Sequence, residues 1–164
     1  MAMANAERQD GRADFDFLVG RWNVHHWRLR ERLNHSTSWE EFEGTTVDRF
    51  ILGGLGNIGE AELTRASGPL EAMSIRLFDP QSRQWSAYFA NSLQGALSPP
   101  MTGGFAQGRG EFYAQETFEG KSIFSRLIWS DITPTSYRWE QAFSADGGRT
   151  WETNWIMELT RQPE

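Results

Sequence analysis

Apolar and polar residues alternate with period two along much of the chain. The clearest stretch is Tyr137 to Arg161, YRWEQAFSADGGRTWETNWIMELTR. Tyr137, Trp139, Gln141 and Phe143 fall on one face of its first run, and Trp151, Thr153, Trp155, Met157, Leu159 and Arg161 on one face of its second. Arg138, Glu140, Ser144, Glu152, Asn154, Glu158 and Thr160 fall opposite. Successive strand side chains point to opposite faces, so this stretch predicts a β-hairpin turned at Gly147-Gly148, aromatic inside and polar outside.

The same grammar runs through the rest. Residues 21–33 (RWNVHHWRLRERL) predict the first strand, with Trp22, Val24, His26 and Arg28 on one parity. Residues 38–52 predict the second; Gly44 in its middle suggests a bulge or sharp bend. The turn 53–57 leads into strands over 58–66 and 70–78, split by Ser67-Gly68-Pro69. After the turn 79–83 comes QWSAYFAN (84–91), whose parity puts either Phe89 with Asn91 or Tyr88 inside. Residues 93–104, with Pro99-Pro100, read as a loop over a barrel mouth. Strands over 105–117 and 121–131 follow; in the latter Ile123, Ser125, Leu127 and Trp129 form the inner set, and periodicity leaves the facing of Arg126 open. Eight to ten strands with short connections and no interleaved helices predict an all-β, antiparallel up-and-down barrel, because closure removes exposed sheet edges. A sandwich is the alternative. Residues 14–164 form one domain in this reading. Residues 1–13 are a disordered tail, and 14–19 supply either one short helical turn that plugs a barrel end or the approach to the first strand.

Composition narrows the function classes. Eight Trp and eleven Phe give bulky core material, while sixteen Gly and six Pro suit many turns. A net charge of −6 with interleaved signs offers no basic patch for nucleic acid and no polybasic arm for a membrane surface. Without cysteine there is no disulfide, thiol nucleophile or Cys-based metal site. No apolar run reaches membrane-span length, and the N-terminus lacks a signal-like apolar core. A bacterial-type cytoplasmic protein is the default expectation.

Two motifs stand out. Ser144-Ala145-Asp146-Gly147-Gly148-Arg149-Thr150-Trp151 resembles the Asp-box of sialidases, in which the Asp carboxylate accepts backbone N–H groups across a turn. Asp146 and Trp151 are therefore structural here, and one copy without a propeller repeat implies no sialidase activity. Gly20-Arg21-Trp22 with Arg161 resembles the lipocalin and calycin superfamily: a G-x-W opens the first strand, and an Arg from the last strand packs over that Trp to close the barrel base. FDFLVGRWNVHH, GGLGNI, RLFDP and the terminal hairpin also resemble an uncharacterised bacterial family of lipocalin-like domains. That resemblance covers most of residues 14–161; it implies a barrel and supplies no activity.

The chemistry follows from what faces inward. Trp22 inside sends His26 inside and His25 outside. A metal site would need more ligands than His35 can complete, and haem-type ligation by a late histidine has no candidate after His35. The preferred reading is a cavity that binds a small, largely apolar or aromatic molecule. His26, Asn91, Gln141 and Thr153 are its polar anchors among Trp129, Trp139, Phe143, Trp155 and Met157, with no cofactor and no metal. A second reading is a cofactor-free proton-transfer, isomerase or cyclase enzyme using His26 with Glu40. A third is a homodimeric interaction module using outward Trp27 and Trp39.

Overall fold

The computed structural model describes residues 8–163. Ten strands close into one antiparallel barrel: β1 (Gly20–Leu29), β2 (Trp39–Ile51), β3 (Gly56–Arg65), β4 (Gly68–Asp79), β5 (Gln84–Asn91), β6 (Met101–Ala106), β7 (Arg109–Phe118), β8 (Lys121–Ser130), β9 (Ser136–Ser144) and β10 (Glu152–Arg161). Each strand pairs with its sequence neighbours, and β1 pairs with β10 to complete the ring. The expected up-and-down barrel is thus present with ten strands. Two boundaries differ. Residues 101–104 belong to β6, which turns tightly into β7 at Gln107-Gly108, where both residues have positive φ. β1 stops at Leu29, and residues 30–38 form a loop.

The registers define the inner face. Trp22, Val24, His26 and Arg28 of β1 stand opposite Thr46, Gly44, Phe42 and Glu40 of β2. Gly44 carries no bulge. It stays in register between Val24 and Leu63, and its missing side chain leaves room for the His26 ring, whose Nε2 would lie 3.0 Å from a Cβ there. The bulge sits instead in β10, between Thr153 and Trp155. One extra residue reverses the parity. Thr153 pairs with Ala142 on the outer side, while fully buried Asn154 accepts a hydrogen bond from Gln141 Nε2 at 2.8 Å. Trp151 also lies outside, under the Arg126 guanidinium at 4.5 Å and beside Tyr113. The simple alternation expected for residues 151–161 therefore holds only from Trp155 onward.

One end is plugged by the segment before β1. A 3-10 turn at Asp16–Leu18 follows Phe15, which is fully buried and makes edge contacts with Trp85, Phe105 and Trp129 at 4.7–5.0 Å between centroids. Of the expected tail, residues 1–7 lie outside the described residues; Gly11 is seated on the barrel, its carbonyl accepting the Trp85 indole N–H at 2.9 Å. Trp22 donates to Leu18 O at 2.8 Å. Arg161 lies over the Trp22 ring at 4.2 Å and donates to Val19 O, Phe17 O and Pro134 O at 2.8–3.0 Å. Gly20, at φ 136, leaves the space that this guanidinium occupies. The G-x-W glycine is therefore needed twice, for its backbone angle and for its missing Cβ.

The predicted Asp-box turn closes the β9–β10 hairpin. Asp146 Oδ1 accepts from Ser144 Oγ at 2.8 Å and Thr150 N at 2.9 Å, and Oδ2 accepts from Thr150 Oγ1 at 2.6 Å. These bonds hold its carboxyl down at about 2.

Candidate functional site

The plug fills only one end of the barrel. Toward the other end lies a cavity of about 290 Å³. Its origin is a mismatch between walls. The inner faces of β3 and β4 carry Gly59, Ala61, Ala72 and Ser74, paired in register. The inner faces of β8 to β10 carry Trp129, Trp139 and Trp155. Short side chains on one wall do not reach the rings on the other, so a void remains. It extends to the mouth beneath the loop after β5, where exposed Gln94 and half-buried Ser98 are among its lining residues. Ser98 ties that loop to the sheet through two hydrogen bonds to the Phe89 backbone, at 2.8 and 2.9 Å.

Seven of the expected binding residues line the cavity: His26, Asn91, Trp129, Trp139, Gln141, Trp155 and Met157. In β5 the pair Phe89 and Asn91 faces in, opposite Ser74 and Ala72. Two expected lining residues do not reach it. Thr153 is turned outward by the bulge. Phe143, though buried, packs on Phe118 and under Arg32 away from the void. Arg126 faces outward onto Trp151. Trp27 and Trp39 lie on the outer parity of β1 and β2, with Trp27 packed against His25 at 4.2 Å.

His26 is 3% exposed and stacked on Phe42 at 4.5 Å. Trp155 Nε1 donates to its Nδ1 at 3.0 Å. Burial, reinforced by the positive charge of His25 and Arg28, pushes its pKa down to about 3, so the ring is neutral. An indole can only donate; Nδ1 is therefore the acceptor, and the ring proton sits on Nε2. Its neighbour His25 has the opposite fate outside. Burial is the largest single influence and pulls its pKa down, but hydrogen bonds and charge from Glu43 and Glu41 together raise it overall. Glu40 and His26 share a parity but are not joined: Glu40 stands opposite Arg28, and His26 opposite Phe42. Neither makes a hydrogen bond to the other. The acid–base pair expected from sequence therefore does not form.

The sequence reading missed a buried charge pair in the cavity wall. Arg76 Nη2 donates to Asp48 Oδ1 at 2.9 Å, and Arg76 Nε donates to Asn57 Oδ1. Asp48 and Arg76 are each 5% exposed. Burial raises the Asp48 pKa despite the opposing pull of Arg76. Gly59, directly opposite Asp48 in register, makes room: a Cβ there would collide with Asp48 Oδ1. Tyr137 lies beside this pair with its hydroxyl pKa raised by burial and by Asp48. The usable signal in the sequence was the inward parity of Asp48 with Thr46 and Phe42, set against a glycine on the next strand.

Neither a protein-family model nor a curated protein sequence matches the chain. Solved structures do, at the level of fold. The S-type phycobiliprotein lyase CPES from Guillardia theta superposes with a TM-score of 0.59 at 11% identity, covering 96% of this chain and 98% of that one. Rv2717c from M. tuberculosis gives 0.60 at 12% identity, covering 92% and 98%. EF1p2_mFAP2b, solved bound to DFHBI, gives 0.50 at 12% identity, covering 92% and 98%. The chain thus shares its fold with these structures across nearly its whole length.

Proposed function

We propose that this barrel binds a small, largely apolar or aromatic molecule in the cavity between the small-residue wall of β3–β4 and the tryptophan wall of β8–β10. The void itself carries the reading. Side chains can just fill a barrel of about eight strands; this one has ten, and about 290 Å³ stays open beside three indoles. That volume is near the lower end of ligand pockets, roughly 300–1,000 Å³, which suits a molecule of one or two fused rings. The similarity in fold to a structure solved bound to DFHBI supports a small-molecule role.

Polar groups in the wall orient such a guest and do not carry it. His26 is neutral and held by Trp155, and Asp48 is already paired with Arg76. Affinity then comes chiefly from apolar area removed from water, at roughly 25 cal/mol per Å². The test is a fluorescence titration with 2-methylnaphthalene. Wild type is expected to show one-to-one quenching of tryptophan emission. Ala72→Trp, which places an indole into the void from the small-residue wall, is expected to abolish it. Equal quenching in Ala72→Trp, or none in wild type, would count against the cavity as a binding site.

A further inference from the structure

Arg28 is built into the mouth of this cavity and has no ion-pair partner within 4.0 Å among the described residues. Its guanidinium lies over the Trp155 ring at 4.6 Å and lines the void. It makes no hydrogen bond or ion pair within 4.0 Å among the described residues, although Glu40 stands opposite it in the β1–β2 register. The other charges around it do not balance it. Arg32 and Arg65 act on it as like charges, and only Glu40 opposes them. Glu116 lines the same cavity from β7, and its charge acts on Arg32. Deeper in the void, Asp48 is neutralised by Arg76 and offers Arg28 nothing.

Two residues along the same inner face of β1 stands His26. Its Nδ1 is occupied by Trp155, and its Nε2 is turned toward Gly44, which pairs with Val24 on the side away from Arg28. Trp155 thus sets both groups, presenting its face to Arg28 and its N–H to His26. A partly desolvated guanidinium seated on the face of Trp155, with no ion-pair partner within 4.0 Å among the described residues, complements a planar oxyanion.

We propose that the ligand of this cavity carries a carboxylate, which docks on Arg28 while its ring system lies against Trp155 and Trp139. This rests on the cavity reading above and specifies its ligand class: an aromatic or short aliphatic carboxylic acid rather than a neutral hydrocarbon. Burial and the like charges of Arg32 and Arg65 lower the Arg28 pKa, which is the electrostatic gap that an anion would close.

The experiment compares 2-naphthoate with its methyl ester, which has the same ring and no charge, by tryptophan quenching in wild type, Arg28→Gln and Arg28→Lys. The expected result is a preference for the acid of roughly ten- to a hundredfold in wild type, the range of a charged hydrogen-bonded contact. Arg28→Gln is expected to lose that preference while binding the ester as before, and Arg28→Lys to retain part of it. Because the ester reports an intact cavity, misfolding of a variant is visible as loss of ester binding, and Arg28→Lys then decides on its own. Equal affinity of acid and ester in wild type would overturn the carboxylate assignment and leave the cavity reading standing. Binding of neither would overturn both.

Discussion

Trp155 donates its indole N–H to His26 Nδ1 at 3.0 Å, joining β10 to β1 across the seam that closes the barrel. The bond fixes the tautomer of a histidine that burial already keeps neutral, with a pKa near 3 against the ordinary 6.5. The folded value lies below the unfolded one, so protonation favours the unfolded chain. The contribution of His26 to stability is full above pH 6.5 and is lost as pH falls toward 3, at about 1.4 kcal/mol per unit. By pH 3 this amounts to something on the order of 4 kcal/mol. His26→Phe keeps a ring on Phe42 and removes the titration. Urea unfolding of both proteins between pH 7 and 4 should show wild type losing stability relative to the variant as pH falls. A constant gap would mean that His26 titrates normally in the fold. In a histidine-detected NMR titration, His25 should titrate above 6.5 and His26 should stay neutral down to pH 4.

Gly59 is held open for the Asp48 carboxylate. Gly59→Ala should displace the Asp48–Arg76 pair and cost about 2 to 3 kcal/mol, by overpacking and by disturbing a buried ion pair. Gly104 in β6 meets nothing within 4 Å of an added Cβ, so Gly104→Ala should stay within about 0.5 kcal/mol of wild type. Chemical denaturation of the two variants checks the contrast.

Arg161 holds the plugged end through three carbonyls and the face of Trp22. A lysine keeps the charge but cannot span three acceptors in a fork. Arg161→Lys should therefore lose about 2 kcal/mol, with hydrogen exchange of the Trp22 indole N–H accelerating along with it. Unchanged protection of that proton would show that the plug closes without the guanidinium.

Asp146 belongs to the hairpin turn and lies away from the cavity. Its carboxyl pKa is depressed to about 2 by the Thr150 and Ser144 hydrogen bonds, so its contribution is present above 3.8 and lost as pH falls through 2. Asp146→Ala should lower the thermal unfolding midpoint at pH 7 and leave quenching by 2-methylnaphthalene unchanged. A loss of quenching at full folding would tie the turn to the site.

The barrel was legible because period-two alternation and turn residues act locally, and because Gly20, Trp22 and Arg161 mark the closing seam. The facing of His26, Trp139, Gln141 and Met157 followed from the same alternation. Thr153 and Asn154 were exchanged because a single bulge residue, which leaves no composition signal, inverts every parity before it. Gly44 and Gly59 look alike in sequence, yet one accommodates a ring and the other a carboxylate, a distinction that only cross-strand register supplies. Asp48 and Arg76 were overlooked for the same reason. They are 28 residues apart on strands that do not pair with each other, and each alone reads as an ordinary surface charge. The cavity was beyond alternation altogether, since it depends on small residues of β3–β4 facing rings on the far wall.

The most direct test of ligand binding inside the barrel uses the indole N–H signals of the eight tryptophans in a two-dimensional ¹H–¹⁵N spectrum. Titration with 2-naphthoate should shift Trp129, Trp139 and Trp155, which line the cavity, and leave Trp27, Trp39 and Trp151 on the outer face in place. Shifts confined to the outer three, or none at saturating probe, would contradict a binding site within the barrel.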